Sequence, residues 1–496
     1  MRTEPLHLVF SALEWGADQR PKYLQLYDHI RQAILNGQLR SGEQLPPSRV
    51  LAIQLGVSRT TVMQAYGHLE SEGYLGGHTG SGTYVSEQVP GRLALSGLSL
   101  ADGPLASDGP LLSERGRAAA GFQAGGWPKA QNLRPFRPGV PALWDFPFSA
   151  WFRLMGRQSR SLGFEAFGYG DAAGYMPLRR ALAMYLRQSR GVRCEPEQVI
   201  IVHGTQQALA LSCQLLLDPG DSAWIEDPGY NGAKEAMHLM GVRPIPVPLG
   251  REGISVEAGM KAGPEARLAY VTPSHQYPTG VVMSLGRRLE LLEWAARQSA
   301  WILEDDYDSE YRYSGKPLAA LQGIGREGRA VYLGTFSKVQ FPALRMGYIV
   351  APPALAEPFQ RAKAFTDRGN SILEQATLAA YLEEGHLERH LRRMRLLYKE
   401  RQEALIHWSE KLLGDRLRIF PSDTGLHAVG WLPEHSDDRQ VAAQLMEAGV
   451  TASPLSGYTQ QYRQPPGLVL GYAPYREEQI RDALERMAGV LEQLPA

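Results

Sequence analysis

The amino-acid sequence predicts an α/β fold with a mostly parallel sheet, preceded by a small helical domain and followed by a smaller α+β lobe. Two patterns predict this division. Residues 20–87 hold three short helical patterns and a Gly-rich hairpin, whereas from residue 133 onward short apolar segments alternate with longer amphipathic ones. A chain of 496 residues also exceeds what one hydrophobic core usually supports, so at least two domains are expected.

The α/β part, residues 133–490, follows a regular order of predicted elements. The predicted strands are 199–202, 223–226, 268–272, 301–304 and 330–334. Helical periodicity between them covers 178–190, 206–217 and 287–298. Residues beyond about Phe359 are mostly helical and then mixed, which predicts the smaller lobe. Residues 88–132 are rich in Gly, Pro, Ser and Ala, so we predict a linker there and expect part of it to dock on a neighbouring surface.

Composition favours a globular protein of a reducing compartment. Hydrophobic residues make up 44% of the chain and charged residues 21%, and the formal net charge is zero. Bulk charge therefore supports neither a nucleic-acid nor a membrane partner. Cys194 and Cys213 match no metal or disulfide spacing, and we expect both to be inert packing residues. The N-terminus lacks signal-peptide features and no apolar run is long enough to cross a bilayer, so a cytoplasmic protein without a membrane partner is expected.

The first domain reads as two short helices joined by a tight turn. Leu55-Gly56-Val57-Ser58 joins them, with Ser58 in the position of a helix N-cap. The second helix then begins with Arg59, Thr60 and Thr61, and Gln64 lies one turn later. These donor-rich side chains sit at the end that enters the major groove in a helix-turn-helix protein. Arg49 heads the preceding helix, where it can reach a phosphate or a base edge.

A Gly-rich hairpin follows at residues 75–85, and its glycines allow the backbone to approach a DNA strand closely. Together these segments resemble the winged helix-turn-helix domain of the GntR family. The matching motifs are Leu45-Pro-Pro-Ser-Arg49, Leu55-Gly-Val-Ser-Arg-Thr-Thr61, Leu69-Glu-Ser-Glu-Gly73 and Gly80-Ser-Gly-Thr-Tyr-Val85. The resemblance implies an operator in double-stranded DNA, contacted by Arg49, Arg59, Thr60, Thr61 and Gly80. The alternative is a small helical protein-interaction domain, which the near-balanced charge of this block does not exclude.

The segment Gly334-Thr-Phe-Ser-Lys338-Val-Gln-Phe-Pro-Ala-Leu-Arg345-Met-Gly347 points to pyridoxal 5'-phosphate. A lysine at the end of a buried strand can condense with the cofactor aldehyde as a Schiff base. The hydroxyls of Thr335 and Ser337 and the guanidinium of Arg345 can hold the phosphate. The alternative is an exposed lysine on an ordinary loop.

Other requirements of that cofactor are met in chain order. Thr205 and Gln206 start a helix directly after a strand, where backbone amides bind anions. Tyr230 ends the next strand and can stack on the pyridine ring. Asp305 can pair with the ring nitrogen, with the adjacent Asp306 as its rival, and Tyr307 can bond the ring oxygen. Each residue alone is more often structural, but their shared order favours a cofactor site.

This half resembles the fold-type I aminotransferases, and most of all the aminotransferase-like half of MocR/GabR-type regulators. The resemblance implies Lys338 as the Schiff-base lysine and the roles given above for the other site residues, and implies no metal. It further implies that Tyr169, in Gly168-Tyr-Gly-Asp-Ala-Ala-Gly174, reaches the phosphate across a dimer interface. A head-to-tail, domain-swapped homodimer is then expected.

One departure bears on the ligand. Many such aminotransferases carry an arginine in the last strands that grips a substrate carboxylate, whereas Gly467-Leu-Val-Leu-Gly-Tyr-Ala473 places Val469 there. Arg463 and Arg476 are the nearby cations that would have to replace it. The leading hypothesis is therefore a transcription regulator whose second domain binds pyridoxal phosphate and senses an amine-bearing effector or the cofactor itself. The alternatives are an active aminotransferase with a DNA-binding appendage and a cofactor-binding scaffold that does not respond to ligand.

Overall fold

The computed structural model describes residue 10 and residues 20–78, 82–87, 112–121, 134–315 and 319–493. The chain separates into two compact units, residues 1–111 and 112–496. Within the described part of the chain, every helix is too short or too polar to cross a membrane.

The first unit is a three-helix domain with a two-stranded hairpin. Its elements are α1 (Lys22–Leu35), α2 (Ser48–Leu55), α3 (Arg59–Ser71), β1 (Leu75–His78) and β2 (Gly82–Val85). Gly56 ends α2 in the left-handed region, with φ of 64°, which turns the chain sharply into α3. Ser58 caps α3, since its Oγ accepts a hydrogen bond from the Thr61 amide at 3.1 Å. The predicted helix-turn-helix and antiparallel hairpin are confirmed.

The second unit begins with helices that cover the later sheet. They are α4 (Glu114–Gly121), α5 (Phe148–Ser161) and α6 (Met176–Arg190). The helix α4 lies inside the predicted linker and packs against the helix Asn231–Leu239, so this part of the linker is docked. The rest of the linker lies largely outside the described residues.

An eight-stranded sheet forms the centre of the second unit, in the order β3-β10-β9-β8-β7-β4-β5-β6. Its strands are β3 (Val199–Val202), β4 (Ser222–Asp227), β5 (Arg243–Gly250), β6 (Gly253–Ile254), β7 (Leu268–Val271), β8 (Trp301–Asp306), β9 (Ala330–Thr335) and β10 (Gly347–Val350). The helices between them are α7 (Thr205–Leu216), α8 (Asn231–Leu239), α9 (Val256–Ala262), α10 (Leu285–Arg297) and α11 (Leu321–Ile324). Neighbours from β9 to β5 run parallel, and β10 is antiparallel to both β9 and β3.

Both faces of this sheet are covered, which explains its continuous apolar strands. In β3, Val199 and Ile201 pack on one side of the sheet, and Ile200 and Val202 pack on the other. All five predicted strands are present. Strand β5, which was not predicted, carries prolines at every second position, 244, 246 and 248, and pairs with the short edge strand β6 only beyond them. Alternate residues turn their N–H groups to the same side, so the donors that face β4 remain available.

The smaller lobe begins with α12 (Pro353–Thr366), α13 (Ile372–Glu383) and α14 (His386–Leu412). A four-stranded sheet follows in the order β11-β12-β14-β13, made of β11 (Arg418–Ile419), β12 (His427–Trp431), β13 (Ser453–Pro454) and β14 (Gly467–Gly471). The remaining helices are α15 (Asp438–Glu447) and α16 (Glu477–Leu491). The antiparallel sheet packs with helices α14 to α16, so the predicted α/β fold with a smaller α+β lobe is confirmed.

Candidate cofactor pocket and nucleic-acid interface

A cavity of about 660 Å³ opens at the carboxyl ends of the central parallel strands. Open α/β sheets bind ligands at this edge, because loops from several neighbouring strands meet there. Nine of the ten residues predicted to hold the cofactor line it: Thr205, Gln206, Tyr230, Asp305, Tyr307, Thr335, Ser337, Lys338 and Arg345. Tyr169 does not line it; its ring is 91% exposed and lies under the guanidinium of Arg368.

Lys338 extends into the cavity from the turn after β9. Its Nζ donates a hydrogen bond to the carbonyl oxygen of Gly139 at 2.6 Å. Burial lowers the pKa of this amine to about 8, although the nearby carboxylates of Asp308 and Asp305 act in the opposite direction. Roughly a tenth of the amine is therefore uncharged at pH 7, and this is the form that attacks an aldehyde.

Asp305 lies in the floor of the cavity, on strand β8. Its Oδ2 accepts a hydrogen bond from the hydroxyl of Tyr270 at 2.7 Å, while its buried Oδ1 has no partner among the described residues. Burial raises the pKa of this carboxyl to about 7, and the charge of Asp306 adds to the effect. An unpartnered acceptor in a buried floor matches a ring N–H of a cofactor, whose positive charge would stabilise the carboxylate.

The rival residue Asp306 points to the other face of the sheet. Its Oδ2 accepts hydrogen bonds from Arg190 Nη2 at 2.6 Å and from the Tyr332 hydroxyl at 2.6 Å. Successive side chains of a strand alternate between its two faces, so only one of the two aspartates can line the cavity. The geometry selects Asp305.

The end of the cavity that is predicted to hold the phosphate is formed by the start of α7 and the loop after β9. Gly204 has a φ of 102°, which favours glycine, and a Cβ there would lie 3.5 Å from Arg345 Nη2. Arg345 Nη2 donates to the His203 carbonyl at 2.9 Å, which fixes the guanidinium beside the helix start. The Oγ of Thr335 accepts from the Ser337 amide at 3.1 Å, so its own proton remains available to a ligand. Backbone amides, hydroxyls and a cation thus meet where a phosphate would bind.

Tyr230 covers the cavity from the side of β4. Its hydroxyl accepts from Gln206 Nε2 at 3.0 Å, and a Cβ on Gly232 would collide with its ring. Gly232 is therefore required for the ring to lie over the helix start. Tyr277, whose ring is perpendicular to that of Tyr230, continues this aromatic wall.

A loop of the smaller lobe closes over the same side. The carboxylate of Asp227 accepts hydrogen bonds from the backbone amides of Gln460, Gln461 and Tyr462 at 2.6 to 2.9 Å. The hydroxyl of Tyr458 lies 3.1 Å from that of Tyr277. These contacts join the smaller lobe to the end of β4, where Tyr230 lies.

Sequence reasoning missed several residues of the pocket. Tyr270 lies inside an apolar strand, and nothing in the sequence distinguishes it from a core tyrosine. Gly139 comes from the segment just after the predicted linker. The polar turn after β7 contributes Tyr277, and the smaller lobe contributes His427.

The expected position of a carboxylate-binding arginine is occupied by an apolar cluster. Val469 is fully buried in β14 and packs with Val429 and Leu455. Arg463 and Arg476, the cations considered as replacements, are exposed and do not line the cavity. Among the described residues that line it, the cationic side chains are Lys338 and Arg345.

The candidate DNA-binding face lies on the first unit. Arg49, Ser58, Arg59, Thr60 and Gln64 are exposed, and Thr61 is half-buried beside the cap. Arg59 Nε lies 3.4 Å from the Ser48 hydroxyl, so the starts of α2 and α3 are adjacent. Gly80 lies outside the described residues.

Comparison with known protein families agrees with both parts. Residues 22–85 match the family of bacterial regulatory proteins of the gntR type, and residues 153–487 match the aminotransferase class I and II family. The fold and pocket therefore define a regulator with a winged helix-turn-helix and an aminotransferase-like domain, and the cofactor of that domain is pyridoxal phosphate. The chain belongs to the family of MocR-type transcription regulators.

Individual relatives show the extent of the similarity. The probable rhizopine catabolism regulatory protein MocR of Rhizobium meliloti is 41% identical over 94% of this chain and 93% of its own. The pyridoxine biosynthesis regulator PdxR of Corynebacterium glutamicum is 32% identical over 94% of both chains. The α-aminoadipate aminotransferase LysN of Thermus thermophilus, complexed with N-(5'-phosphopyridoxyl)-L-leucine, has a TM-score of 0.67 at 29% identity and covers 73% of this chain and 92% of its own.

The raised pKa values of the buried carboxyls predict how stability depends on pH in the cofactor-free protein. Glu226, Glu304 and Asp305 each have a pKa of about 7 because of burial. Between about pH 4 and pH 7 these three carboxyls thus bind more protons in the folded state than in the unfolded state, so their contribution to the free energy of unfolding falls as pH rises. The substitution Asp305→Asn removes one of these carboxyls, so the slope of the unfolding free energy against pH should lose the contribution of about one bound proton.

Urea unfolding of both proteins at a series of pH values measures the slope. Asp415→Asn, at an exposed site, is the matched control and should leave it unchanged. Identical slopes for Asp305→Asn and the unmodified protein would contradict a protonated Asp305 in the empty pocket.

Proposed function

We propose that this chain regulates transcription by binding operator DNA through its first unit and an amine, or the cofactor itself, through Lys338 in its second. The observation that carries the proposal is the pairing, in one cavity, of a buried amine of lowered pKa with an unpartnered buried carboxylate oxygen. A DNA-binding transcription regulator of this kind would act in the cytoplasm. We assign 20–87 to the DNA-binding domain, 88–132 to the linker and 133–490 to the sensing domain.

The residues divide among the parts of the cofactor. The phosphate would be held by Thr205, Gln206, Thr335, Ser337 and Arg345. Three other residues would hold the ring: Asp305 at its nitrogen, Tyr307 at its oxygen and Tyr230 against its face. When bound, pyridoxal phosphate supplies an aldehyde that condenses with primary amines and a ring that withdraws electrons. Lys338 supplies the primary amine of the protein.

The contact between Lys338 and Gly139 gives a route from the pocket toward the DNA-binding domain. Nζ bonds the Gly139 carbonyl when the amine is free, and attachment to a cofactor would withdraw this donor. An effector amine that replaced Lys338 on the cofactor would free the Lys338 amine, which could again donate a hydrogen bond to the Gly139 carbonyl. Because Gly139 follows the linker directly, the free and attached lysine would favour different positions of that segment, and DNA affinity would change by linkage.

The lining of the cavity bears on the class of effector. Arg345 is placed for the phosphate, and burial lowers the pKa of His427 to about 3, so that imidazole is neutral. A carboxylate would find no cation among the described lining residues beyond those already assigned. We therefore expect primary amines without a carboxylate to act better than the corresponding amino acids.

Replacing Lys338 by Ala should abolish covalent attachment of the cofactor and the response to amines, while basal DNA binding persists. Attachment is measured by borohydride reduction after incubation with pyridoxal phosphate, followed by mass analysis of the peptide that holds residue 338. DNA affinity is titrated at fixed salt on a fragment selected by the protein from a random-sequence pool, with and without pentylamine or norleucine. Lys261→Ala, an exposed lysine, is the control and should behave as the unmodified protein.

Two results would count against this proposal. Unmodified protein that is not labelled at Lys338 would exclude the cofactor site. Steady turnover of an amino acid with a keto acid, together with DNA affinity that no amine changes, would instead favour an aminotransferase with a DNA-binding appendage.

Removing the guanidinium of Arg59 should weaken operator binding by at least about tenfold, because this exposed side chain heads the helix that enters the major groove. The same fixed-salt titration of Arg59→Ala measures the loss. Arg20→Ala removes the same charge from an exposed ion pair with Asp28 at the start of the domain, and should have a much smaller effect. Equal losses in the two variants would mean that only bulk charge matters, contrary to a specific reading helix.

We also propose a head-to-tail homodimer in which Tyr169 completes the phosphate site of the partner. Tyr169 is 91% exposed and lies outside its own cavity, and other large apolar side chains near it in sequence are exposed as well: Trp144, Phe152, Phe164 and Phe167. Apolar side chains exposed together typically mark a protein interface.

Subunit mixing tests this arrangement. A Tyr169→Phe homodimer should bind pyridoxal phosphate more weakly, by about tenfold for one lost hydrogen bond to a charged group, and a Lys338→Ala homodimer should not attach it. In a mixed dimer, the Tyr169→Phe subunit keeps Lys338 and receives the tyrosine of the other subunit, so its affinity should recover. Absence of recovery would mean that Tyr169 acts within its own chain or not at all.

A further inference from the structure

His275 lies in the turn after β7, next to the residues that follow β8, and is not among the residues assigned to the cofactor. Its side chain and that of Asp308 are both 1% exposed. The Nδ1 of His275 lies 2.9 Å from Asp308 Oδ2 and 3.0 Å from the hydroxyl oxygen of Tyr307. Its Nε2 is buried and has no hydrogen-bond partner among the described residues.

The position of the ring proton follows from these contacts. The carboxylate of Asp308 can only accept a hydrogen bond, so Nδ1 of His275 carries the proton and donates it. The hydroxyl oxygen of Tyr307 then also accepts a hydrogen bond from Nδ1, because a protonated ring nitrogen has no lone pair with which to accept one. The hydroxyl proton of Tyr307 is therefore directed away from His275, and Tyr307 lines the cavity.

The imidazole ring is held in this orientation by two close glycines. A Cβ on Gly425 would collide with the His275 ring, and a Cβ on Gly280 would lie 3.2 Å from Nε2. Both glycines have positive φ, 101° and 78°, so the backbone itself packs against the imidazole. The ring cannot turn its nitrogens without moving the smaller lobe, which contributes Gly425.

Asp308 also acts on Lys338 through its charge. Among the charged groups that raise the pKa of the Lys338 amine, Asp308 has the largest effect, ahead of Asp305. The titratable and charged groups that face Tyr307 or Lys338 are Asp305, Asp308, Glu226, Tyr277, His275, His427 and Arg345. Replacing His275 therefore removes its hydrogen bond to the Tyr307 hydroxyl, whereas neutralising Asp308 removes a negative charge that acts on the Lys338 amine.

We infer that His275 and Asp308 are positioning residues that fix the Tyr307 hydroxyl as a hydrogen-bond donor to the ring oxygen of the cofactor. The inference rests on the proposed attachment of pyridoxal phosphate to Lys338. A donor at the ring oxygen favours the form in which the neighbouring lysine nitrogen has lost its proton, because the oxygen then carries uncompensated negative charge. The Asp308–His275–Tyr307 contacts would thus lower the pH at which that nitrogen titrates.

The visible absorption of the Lys338-bound cofactor, followed against pH in the full-length protein, tests this inference. Tyr307→Phe should raise the pH midpoint of the absorption change by about one unit, since it removes one hydrogen bond to a charged oxygen. His275→Phe should shift the midpoint in the same direction by no more than that, because it removes the contact that orients the Tyr307 hydroxyl. The double variant should shift no further than Tyr307→Phe alone, because His275 acts through Tyr307. Asp308→Asn keeps an acceptor for Nδ1 but removes the charge, so its midpoint should fall.

Tyr381→Phe is the matched control, because it removes a buried hydroxyl that has no partner and lies outside the cavity lining. Its midpoint should equal that of the unmodified protein. Additive shifts of His275→Phe and Tyr307→Phe, or no shift in either, would overturn the inference. If His275→Phe does not fold, an unchanged midpoint in Tyr307→Phe would overturn the inference on its own. Absence of the absorption band in the unmodified protein would instead overturn the proposed cofactor site.

Discussion

The site depends on one geometric constraint: neighbouring parallel strands end at the same edge of the sheet. Strands β4, β7, β8 and β9 run parallel and adjacent, so the residues that follow them meet although the first and the last are separated by more than a hundred positions in sequence. The antiparallel β10 returns the chain beside β9 directly after Arg345. The lysine, the acidic floor and the anion-binding helix start are consequently all fixed by rigid elements, which is what a covalently held cofactor requires.

Burial gives this edge its chemistry. The same desolvation that lowers the pKa of the Lys338 amine raises that of the Asp305 carboxyl, so burial disfavours the charged form of both groups. A cofactor would offer each group an opposite charge: its negative phosphate would lie near the Lys338 amine, and its protonated ring nitrogen would lie near the Asp305 carboxyl. On the other face of the strand, Asp306 is already balanced by Arg190. Of these two adjacent aspartates, one therefore faces the cavity and the other faces the core.

Much of this arrangement follows from sequence patterns. Strands that are buried on both faces read as short apolar runs, so all five predicted ones are present, and the residues around Lys338 carry a distinct motif. The choice between Asp305 and Asp306 needed the register of β8, which only the surrounding packing sets. Strand β5 escaped prediction because prolines usually exclude a strand, and Tyr270 because a tyrosine inside an apolar strand looks like any core residue. The contact between His275 and Tyr307 joins two loops whose proximity no local pattern contains.

The way in which Asp227 holds the loop of the smaller lobe affects how such a protein can diversify. Its carboxylate binds the backbone amides of residues 460–462, which every amino acid except proline provides. Side chains in that loop can consequently be exchanged while the loop stays docked. A new ligand preference could arise there through mutation at little structural cost, with the reactive lysine and its aspartate left untouched.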